Sequence, residues 1–215
     1  MERQKIIESI KDIVKKQLMG EGTGHDWWHT LRVYNMAKNM ATQEKANMFI
    51  VEISALIHDL YDWKFYGEEG QIRKTGKLLN EFIEDEKEIE IIMDIIMNIS
   101  FKGGTASAKQ NTLEGKIVQD ADRLDALGAI GIGRAFAYGG HKNREMYNPN
   151  MAPMKYSNLE EYKNSKGHTI NHFYEKLLLL KDKMNTQTGK KMAKERHEFM
   201  ENFLEQFYKE WDGEK

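Results

Sequence analysis

The sequence predicts an all-α protein built as a single domain over residues 1–215. Apolar residues recur at intervals of three and four along most of the chain, which is the spacing of one helix face. The only two prolines, Pro149 and Pro153, lie almost side by side, and no linker, internal repeat or low-complexity tract divides the chain. A composition of 40% hydrophobic and 31% charged residues is typical of a folded globular domain.

The first two helices are predicted from apolar spacing and from their end signals. Residues 3–18 carry an apolar face, and Gly20 and Gly22 are expected to end this helix because glycine accepts the left-handed conformation. A second helix is expected from Asp26, its N-cap, to about Ala41. Its buried side is predicted to comprise Trp28, Leu31, Val33, Met36, Ala37 and Met40.

Three further helices are predicted before residue 100. The helix near 44–60 is apolar on most faces, and such a helix belongs in the centre of a fold. Another helix is expected near 68–83, after an aromatic turn. The isoleucine-rich segment 86–99 would also suit a strand, but its polar residues fall at helical intervals, so a helix is predicted.

The second half of the chain is predicted to contain one long helix and two closing helices. Residues 100–111 form a polar loop, and the long helix is expected at about 113–138. Both prolines fall in segment 139–164, whose composition is typical of an extended surface loop or lid. The C-terminal helices are expected near 166–184 and 188–211.

Charge and cysteine content argue against several kinds of protein. The net charge is −2, which gives no electrostatic reason to expect a nucleic-acid partner. The chain has no cysteine, so any metal must be held by histidine and carboxylate side chains. Neither an apolar signal core nor a run of about 18 apolar residues is present, so a soluble cytoplasmic protein without a membrane partner is expected.

A histidine–aspartate pair at the end of an apolar run suggests a metal site. Burying Asp59 beside His58 without a counter-charge would cost several kcal/mol. His29 on the second helix and Asp122 on the long helix could complete a ligand set around one divalent cation. Such a set suits Mn²⁺, Fe²⁺, Co²⁺, Ni²⁺ or Zn²⁺, and Mg²⁺ is also compatible. Asp120 competes for the fourth place, but it lies about 200° from Asp122 around the helix.

Each of these residues also has a plainer interpretation. His29 could be a core histidine bonded to a backbone carbonyl, and His58-Asp59 could be a pair at a helix end. An unpaired Asp122 among apolar neighbours would be costly. Because the plainer interpretations require three separate coincidences, the metal site is favoured.

The ordered residues His29, His58-Asp59 and Asp122 resemble the H…HD…D ligand set of the HD-domain phosphohydrolases, an all-α family. The resemblance covers about residues 20–135 and implies that these four side chains bind the metal. The remainder of the chain looks like a small single-domain bacterial branch linked to pyrophosphohydrolysis of nucleoside triphosphates, dNTPs in particular. The flanking segments that carry the match are 30–33, 56–59 and 121–124.

Asp59 and Asp62 are the carboxylates expected to serve catalysis, Asp59 as a metal ligand. Asp62 lies close to where similar hydrolases carry an acid, and it is predicted to orient the attacking water or protonate the leaving oxygen. A solvated turn aspartate is the alternative. Asp125 is predicted to anchor a ligand histidine without contacting the metal itself or, equally, to pair with a surface cation. Contacts to substrate phosphate are predicted for Arg32, Lys64, His25 and Lys176.

Two other histidine patterns have competing interpretations. His25-Asp26-Trp27-Trp28-His29 superficially resembles the H-E-x-x-H helix of zinc proteases, but its aspartate is one methylene shorter than the glutamate base. His168 and His172 could form a second metal site or belong to a helix face that lines the cleft.

Glycines and aromatic residues near the motif also allow two interpretations. The spacing of Gly128, Gly131 and Gly133 has the wrong order for a dinucleotide loop, so close helix packing is predicted. Aromatic residues around the histidine–aspartate pair could stack on a nucleobase or belong to the core. They are Trp27, Trp28, Tyr61, Trp63 and Phe65.

The leading hypothesis is a metal-dependent hydrolase that cleaves nucleoside triphosphates to monophosphate and pyrophosphate. The alternatives are a nucleotidase that releases orthophosphate, a non-catalytic nucleotide sensor with a structural metal and, least favoured, a peptidase. Similar families with two metals carry further histidines between the HD pair and the last aspartate. Residues 60–121 contain none, which favours a single metal ion. Both a monomer and a homodimer are compatible with the sequence.

Overall fold

The structure is a computed structural model of the 215-residue chain. It describes residues 2–20, 26–61, 63–99, 109–154 and 167–214, without the side chains of 63–65. Every regular element in these ranges is helical, which confirms the all-α prediction. The chain divides into two compact units, Met1–Ala121 and Asp122–Lys215. The single domain over 1–215 stays a prediction.

Nine α-helices lie within the described residues. In chain order they are α1 (Arg3–Leu18), α2 (Trp27–Glu44), α3 (Met48–Ile57), α4 (Trp63–Phe82), α5 (Glu86–Ile99), α6 (Leu113–Leu124), α7 (Gly128–His141), α8 (Thr169–His172) and α9 (Gln187–Trp211). Between α8 and α9, the chain continues through a π-helical turn, Phe173–Leu177, and a 3-10 helix, Leu178–Lys183.

Helix α3 lies at the centre of the first unit. It packs against α1, α2 and α5, and all its residues after Met48 are buried. This confirms the prediction from its nearly uniform hydrophobicity, although the helix is shorter than the expected 44–60. It ends at Ile57, so that His58 and Asp59 lie at its C-terminal end.

A buried polar network joins α2 to α3. The Tyr34 hydroxyl donates to a carboxylate oxygen of Glu52 at 2.6 Å, and Lys38 Nζ lies 2.8 Å from the same oxygen. Burial, aided by the Glu52 hydrogen bond, raises the pKa of Tyr34 to about 12. The hydrogen bond from Lys38 to Glu52 raises the lysine pKa. The network thereby holds together the two helices that carry the candidate site.

The second helix corrects one part of the predicted buried face. Asp26 is its N-cap, as predicted, but the helix runs to Glu44 rather than Ala41. Trp28, expected inside, is 55% exposed, whereas its neighbour Trp27 is buried. Leu31 and Met36 are half-buried. The buried face is therefore rotated by one residue from the predicted face, because Trp27 rather than Trp28 fills the core position at the first turn.

The fourth helix begins earlier than predicted and contains a kink. It starts at Trp63 rather than near residue 68, and Gly67 has φ 69° and ψ 167° within it. Only glycine adopts this conformation without strain, so the glycine in the sequence permits the kink at this position. Helix α5 packs against α4 and occupies the predicted range, with Ile92, Ile95, Ile96 and Ile99 buried.

The predicted long helix over 113–138 is wrong, because the chain breaks between α6 and α7. The amide of Asp125 donates to Asp122 O, and the next two amides make the same three-residue bond, so the last turn tightens. Leu127 is then extended, and Gly128 has φ 69°. The apolar spacing continues through the break, so periodicity alone did not reveal it. Glycine at 128 was the available signal.

The second unit is built around an aromatic core. Helix α7 packs against α8 and α9, and Phe173 is fully buried. The rings of Phe136, Phe173, Phe203 and Phe207 lie in contact, with centroid separations of 5.9 to 6.4 Å.

The predicted loop over 139–164 begins later than expected, since α7 continues to His141. Residues 142–154 have no regular helix, and 155–166 lie outside the described residues. The predicted helix near 166–184 is helical from Thr169 to Lys183 but changes type along its length. Within the described ranges, none of the helices has the length and hydropathy of a membrane span.

Candidate metal centre

His29 is held at the start of α2 by a helix cap. The Asp26 carboxylate accepts a hydrogen bond from the backbone amide of His29 at 2.7 Å. This is the usual bond from an N-cap side chain to the third helical amide. It fixes the backbone of His29, whose imidazole is 2% exposed. The local sequence therefore places this imidazole inside the first unit.

His58 follows the last turn of α3 and is oriented by the backbone. Its Nδ1 lies 2.8 Å from the carbonyl oxygen of Ala55. A carbonyl oxygen only accepts hydrogen bonds, so Nδ1 carries the proton and donates it. In the neutral ring, Nε2 then keeps its lone pair for a ligand role. A backbone carbonyl thus sets the tautomer that a metal site would require.

The three polar side chains converge on one point. The Nε2 atoms of His29 and His58 are 3.2 Å apart. Oδ2 of Asp59 lies 3.2 Å from Nε2 of His29 and 3.3 Å from Nε2 of His58. All three side chains are at least nine-tenths buried. The three atoms form a nearly equilateral triangle with a single formal negative charge.

The triangle fits a divalent cation. Two bonds of about 2.1 Å place their ligand atoms about 3.0 Å apart at a right angle and about 3.4 Å apart at the tetrahedral angle. The observed edges of 3.2 and 3.3 Å fall between these limits. Two imidazole nitrogens and a carboxylate oxygen face one another here in a buried space, where a bound cation would satisfy the lone pairs that no proton occupies. His29, His58 and Asp59 therefore form a group that could hold one metal ion.

Asp120 and Asp122 differ in where the chain places them. Asp120 is fully buried in the first unit, yet it does not belong to this group of atoms within 4.8 Å of one another. Asp122 is half-buried and begins the second unit. Asp122 as the fourth ligand stays a prediction.

Several predicted site residues lie outside the described part of the chain. His25 and Asp62 belong to undescribed positions, and the Lys64 side chain is not described. Their roles stay predictions. Arg32 lies half-buried on α2, three residues after His29, and Lys176 is exposed in the π-helical turn. Contacts of these two cations with a phosphate likewise stay predictions.

Asp125 makes an ion pair within the second unit. Its carboxylate is nearly fully buried and pairs with the Arg134 guanidinium. The charge of Asp125 also raises the pKa of Arg196, opposing the larger lowering caused by burial of that guanidinium. These contacts match the predicted alternative of pairing with a cation. A role in holding a ligand histidine stays a prediction.

Within the described residues, His168 and His172 belong to no group of three or more side chains that could hold a metal ion, and a second metal site stays a prediction. His168 is the N-cap of α8: its Nδ1 accepts the amide hydrogen of Asn171 at 3.2 Å, and its Nε2 lies 3.1 Å from Met151 O. Both ring nitrogens of this histidine are therefore engaged. Burial, followed by the charges of Lys176 and Arg144, lowers the pKa of His172 to about 4.

The sequence did not reveal two features of the structure. One is the Ala55 carbonyl that orients His58, because a backbone acceptor leaves no mark on residue type. The other is Lys74, which lies over the rings of Tyr61 and Tyr66. A tyrosine two residues after Asp59 was the only available signal for it. Trp27, for which stacking on a nucleobase and core packing were the two interpretations, is buried in the core.

In this all-α fold, two histidines and an aspartate are brought together as a group that could hold a metal ion. The chain belongs to the HD-domain family, whose model matches residues 27–127. Among relatives, the uncharacterized protein YpgQ of Bacillus subtilis is 38% identical over 215 residues, covering 99% of this chain and 97% of YpgQ.

Solved structures support the same assignment. An HD-superfamily hydrolase from Bacillus thuringiensis is 44% identical, with a TM-score of 0.79 and coverage of 98% of this chain and 99% of its own. The structure of YpgQ in complex with ADP is 35% identical, with a TM-score of 0.77 and coverage of 98% and 97%. At the level of the superfamily, the predicted hydrolase is confirmed. The pyrophosphohydrolase activity stays a prediction.

Proposed function

We propose that this protein hydrolyses nucleoside triphosphates to nucleoside monophosphate and pyrophosphate, using one divalent metal ion. The observation that carries the proposal is the triangle formed by His29, His58 and Asp59. It gathers two neutral nitrogen ligands and one carboxylate with edges of 3.2 and 3.3 Å. Such a site suits a cation that acts on a phosphate ester rather than a structural ion enclosed by thiolates.

A nucleotide substrate is supported by one of the relatives. YpgQ, 35% identical over nearly the whole chain, has been crystallised with ADP. ADP contains a phosphoanhydride bond and a nucleoside, and every nucleoside triphosphate also contains these two parts. We therefore extend nucleotide binding to this chain as part of the proposal. The oligomeric state and the lack of a nucleic-acid partner remain predictions from the sequence.

The chemistry divides between the cation and the protein. When bound, the cation would supply Lewis acidity that lowers the pKa of a water and offsets charge on a phosphoryl oxygen. A water oxygen forms a bond to the α-phosphorus, while the bond from that phosphorus to the bridging oxygen breaks and pyrophosphate leaves. Asp62 is proposed to take the proton from the water, and Arg32 and Lys64 are proposed to bind phosphate oxygens.

The discriminating experiment combines metal analysis with product identification. The purified protein is assayed with Mn²⁺, Fe²⁺, Co²⁺, Ni²⁺, Zn²⁺ or Mg²⁺ against ribo- and deoxyribonucleoside triphosphates, diphosphates and monophosphates. We expect equimolar monophosphate and pyrophosphate from triphosphates. Orthophosphate as the first product would instead identify a nucleotidase. Tight nucleotide binding with no product under any metal would identify a sensor.

Variants of the candidate metal ligands, with a matched control, test whether the activity depends on the metal site. His58→Gln and Asp59→Asn should reduce kcat at least 100-fold and lower the metal content from about one ion per chain towards zero. His141→Gln is the control, because His141 is exposed at the end of α7. If His58→Gln kept both metal and activity, the proposed centre would be wrong. Asp122→Asn tests the predicted fourth ligand in the same assay.

A further inference from the structure

Lys74 on α4 is held by two tyrosine rings. Its Nζ lies 4.7 Å from the ring centroid of Tyr66 and 5.5 Å from that of Tyr61. The two rings meet edge to face, with centroids 5.9 Å apart and an interplanar angle of 83°. Both separations are within the range of cation–π attraction. The ammonium group therefore has a fixed position although it lies at the end of a flexible side chain.

The ammonium charge of Lys74 is not balanced by a carboxylate within the described part of the chain. On its own helix, the positions three and four residues away carry no carboxylate: they are Gly70, Gln71, Lys77 and Leu78. A carboxylate would neutralise the ammonium group, whereas a tyrosine face holds it and leaves its charge intact. Lys74 thus remains a positioned positive charge.

The kink at Gly67 lies between Tyr66 and Lys74. Tyr66 and Lys74 are eight residues apart, which corresponds to about 12 Å along a straight helix. The observed 4.7 Å between ring and Nζ is reached across the break, where Gly67 has φ 69° and ψ 167°. Any other residue would be strained in this conformation. The Tyr66 ring and the Lys74 ammonium group therefore meet across a change of chain direction that glycine permits.

One of the two rings, that of Tyr61, belongs to the turn that follows Asp59. Tyr61 follows Asp59 by two residues, a separation of at most about 7 Å along the chain. Leu60 donates its amide hydrogen to Ile57 O at 3.1 Å, so this segment is a tight turn at the end of α3. The same turn therefore carries a metal-ligand candidate and a ring that holds a cation.

We propose that Lys74 is a substrate-binding residue that donates hydrogen bonds to phosphate oxygens of the nucleotide, with Tyr61 and Tyr66 as its positioning residues. The proposal rests on the proposed function, because it assigns a cation to the polyphosphate of the same substrate. An ammonium group held without a carboxylate suits a polyanion that arrives from solution. Arg32 and Lys64 lie close in sequence to the candidate metal ligands, whereas Lys74 lies fifteen residues beyond Asp59.

Substitution of Lys74 tests the proposal against a neighbour on the same helix. Lys74→Ala should raise KM for the triphosphate substrate about tenfold and change kcat less than twofold, and Lys74→Arg should restore most of the loss. Lys77→Ala is the matched control, because Lys77 is an exposed lysine one turn away. Equal KM values for wild type and Lys74→Ala, or an equal rise in Lys77→Ala, would overturn the proposal.

The ring variants separate positioning from general stability. Tyr61→Leu and Tyr66→Leu should raise KM severalfold, and phenylalanine at the same positions should rescue it because the ring face is kept. Gly67→Ala should reproduce the effect of Tyr66→Leu. Circular dichroism and Tm identify any variant that fails to fold. Failure of phenylalanine to rescue folded leucine variants would contradict the role of the rings.

Two inhibitors identify which part of the nucleotide Lys74 contacts. Inorganic tripolyphosphate should inhibit Lys74→Ala about tenfold less strongly than wild type, while inhibition by a nucleoside should be unchanged. The opposite pattern would overturn the phosphate assignment. Binding of tripolyphosphate is also measured by calorimetry, so the role of Lys74 is tested independently of the hydrolytic activity. A wild type that yields no product from any nucleotide would reject the proposed function alone.

Discussion

Asp26 accepts the backbone amide hydrogen of His29 at 2.7 Å, so the cap of α2 also fixes the backbone of a candidate metal ligand. The first amides of a helix lack partners within the helix, and an aspartate before the first turn satisfies one of them. Here the satisfied amide belongs to the residue whose Nε2 faces His58. Local helix formation and site geometry therefore depend on one hydrogen bond.

Removing this cap should weaken both the fold and the metal site. Asp26→Ala is expected to lower the free energy of unfolding by about 1 kcal/mol and to weaken metal affinity several-fold. Asp26→Ser should retain most of both properties, because serine also caps helices. Chemical denaturation and metal titration measure the two effects. Asp12→Ala, an exposed aspartate on α1, is the control. Equal loss of metal affinity in Ala and Ser variants would show that capping is not the cause.

His172 predicts a pH dependence of stability in the acidic range. Burial and the nearby charges of Lys176 and Arg144 lower its pKa from 6.5 to about 4. Between these values the unfolded chain binds a proton that the folded chain does not, so stability falls as the pH decreases from 6.5 to 4. The contribution is fully present above pH 6.5 and amounts to on the order of 3 kcal/mol.

A substitution isolates the histidine from the other groups that titrate in acid. The free energy of unfolding of His172→Gln, measured from pH 4 to 7, should show a shallower slope than that of wild type. His141→Gln provides the comparison with an exposed histidine. Slopes that coincide for wild type and His172→Gln would mean that His172 protonates equally in both states.

Two glycines of α7 should respond oppositely to alanine. A Cβ at Gly131 would lie 2.2 Å from Ala126 O, so Gly131→Ala should destabilise the protein by about 2 kcal/mol or more. A Cβ at Gly133 would meet no described atom within 4 Å, and Gly133→Ala should stabilise the helix by up to about 1 kcal/mol. Thermal unfolding of both variants provides the measurement. A stable Gly131→Ala protein would disprove the close approach.

This pair of glycines also shows how far the sequence prediction reached. Gly128 is a close helix-packing position, as predicted, since a Cβ there would lie 3.1 Å from the Arg196 side chain on α9, whereas the close neighbour of Gly131 is Ala126 O in the preceding turn. The prediction is wrong for Gly133, which has open space around it. All three positions are glycine and they are similarly spaced, so only the packing of neighbouring segments distinguishes them.

The helices that the sequence predicted well have strong end signals. Asp26 before α2 and Thr186 before α9 are N-caps, each bonded to the third helical amide. These bonds form between residues three apart, so a local sequence is sufficient to specify them. The break between α6 and α7 was missed because its tightened turn involves ordinary residues, and apolar spacing continues on both sides.

The sequence by itself determined the all-α class, most helix positions and the residue types of the candidate metal centre. Helical periodicity, capping residues and the ordered histidines and aspartate are all local or additive signals. Only the tertiary structure decided that Nε2 of His29, Nε2 of His58 and Oδ2 of Asp59 lie within 3.3 Å of one another. It also decided that Lys74 lies over Tyr61 and Tyr66. Such contacts depend on how helices pack and where a kink turns the chain, and residues distant in sequence carry no periodic signal of meeting.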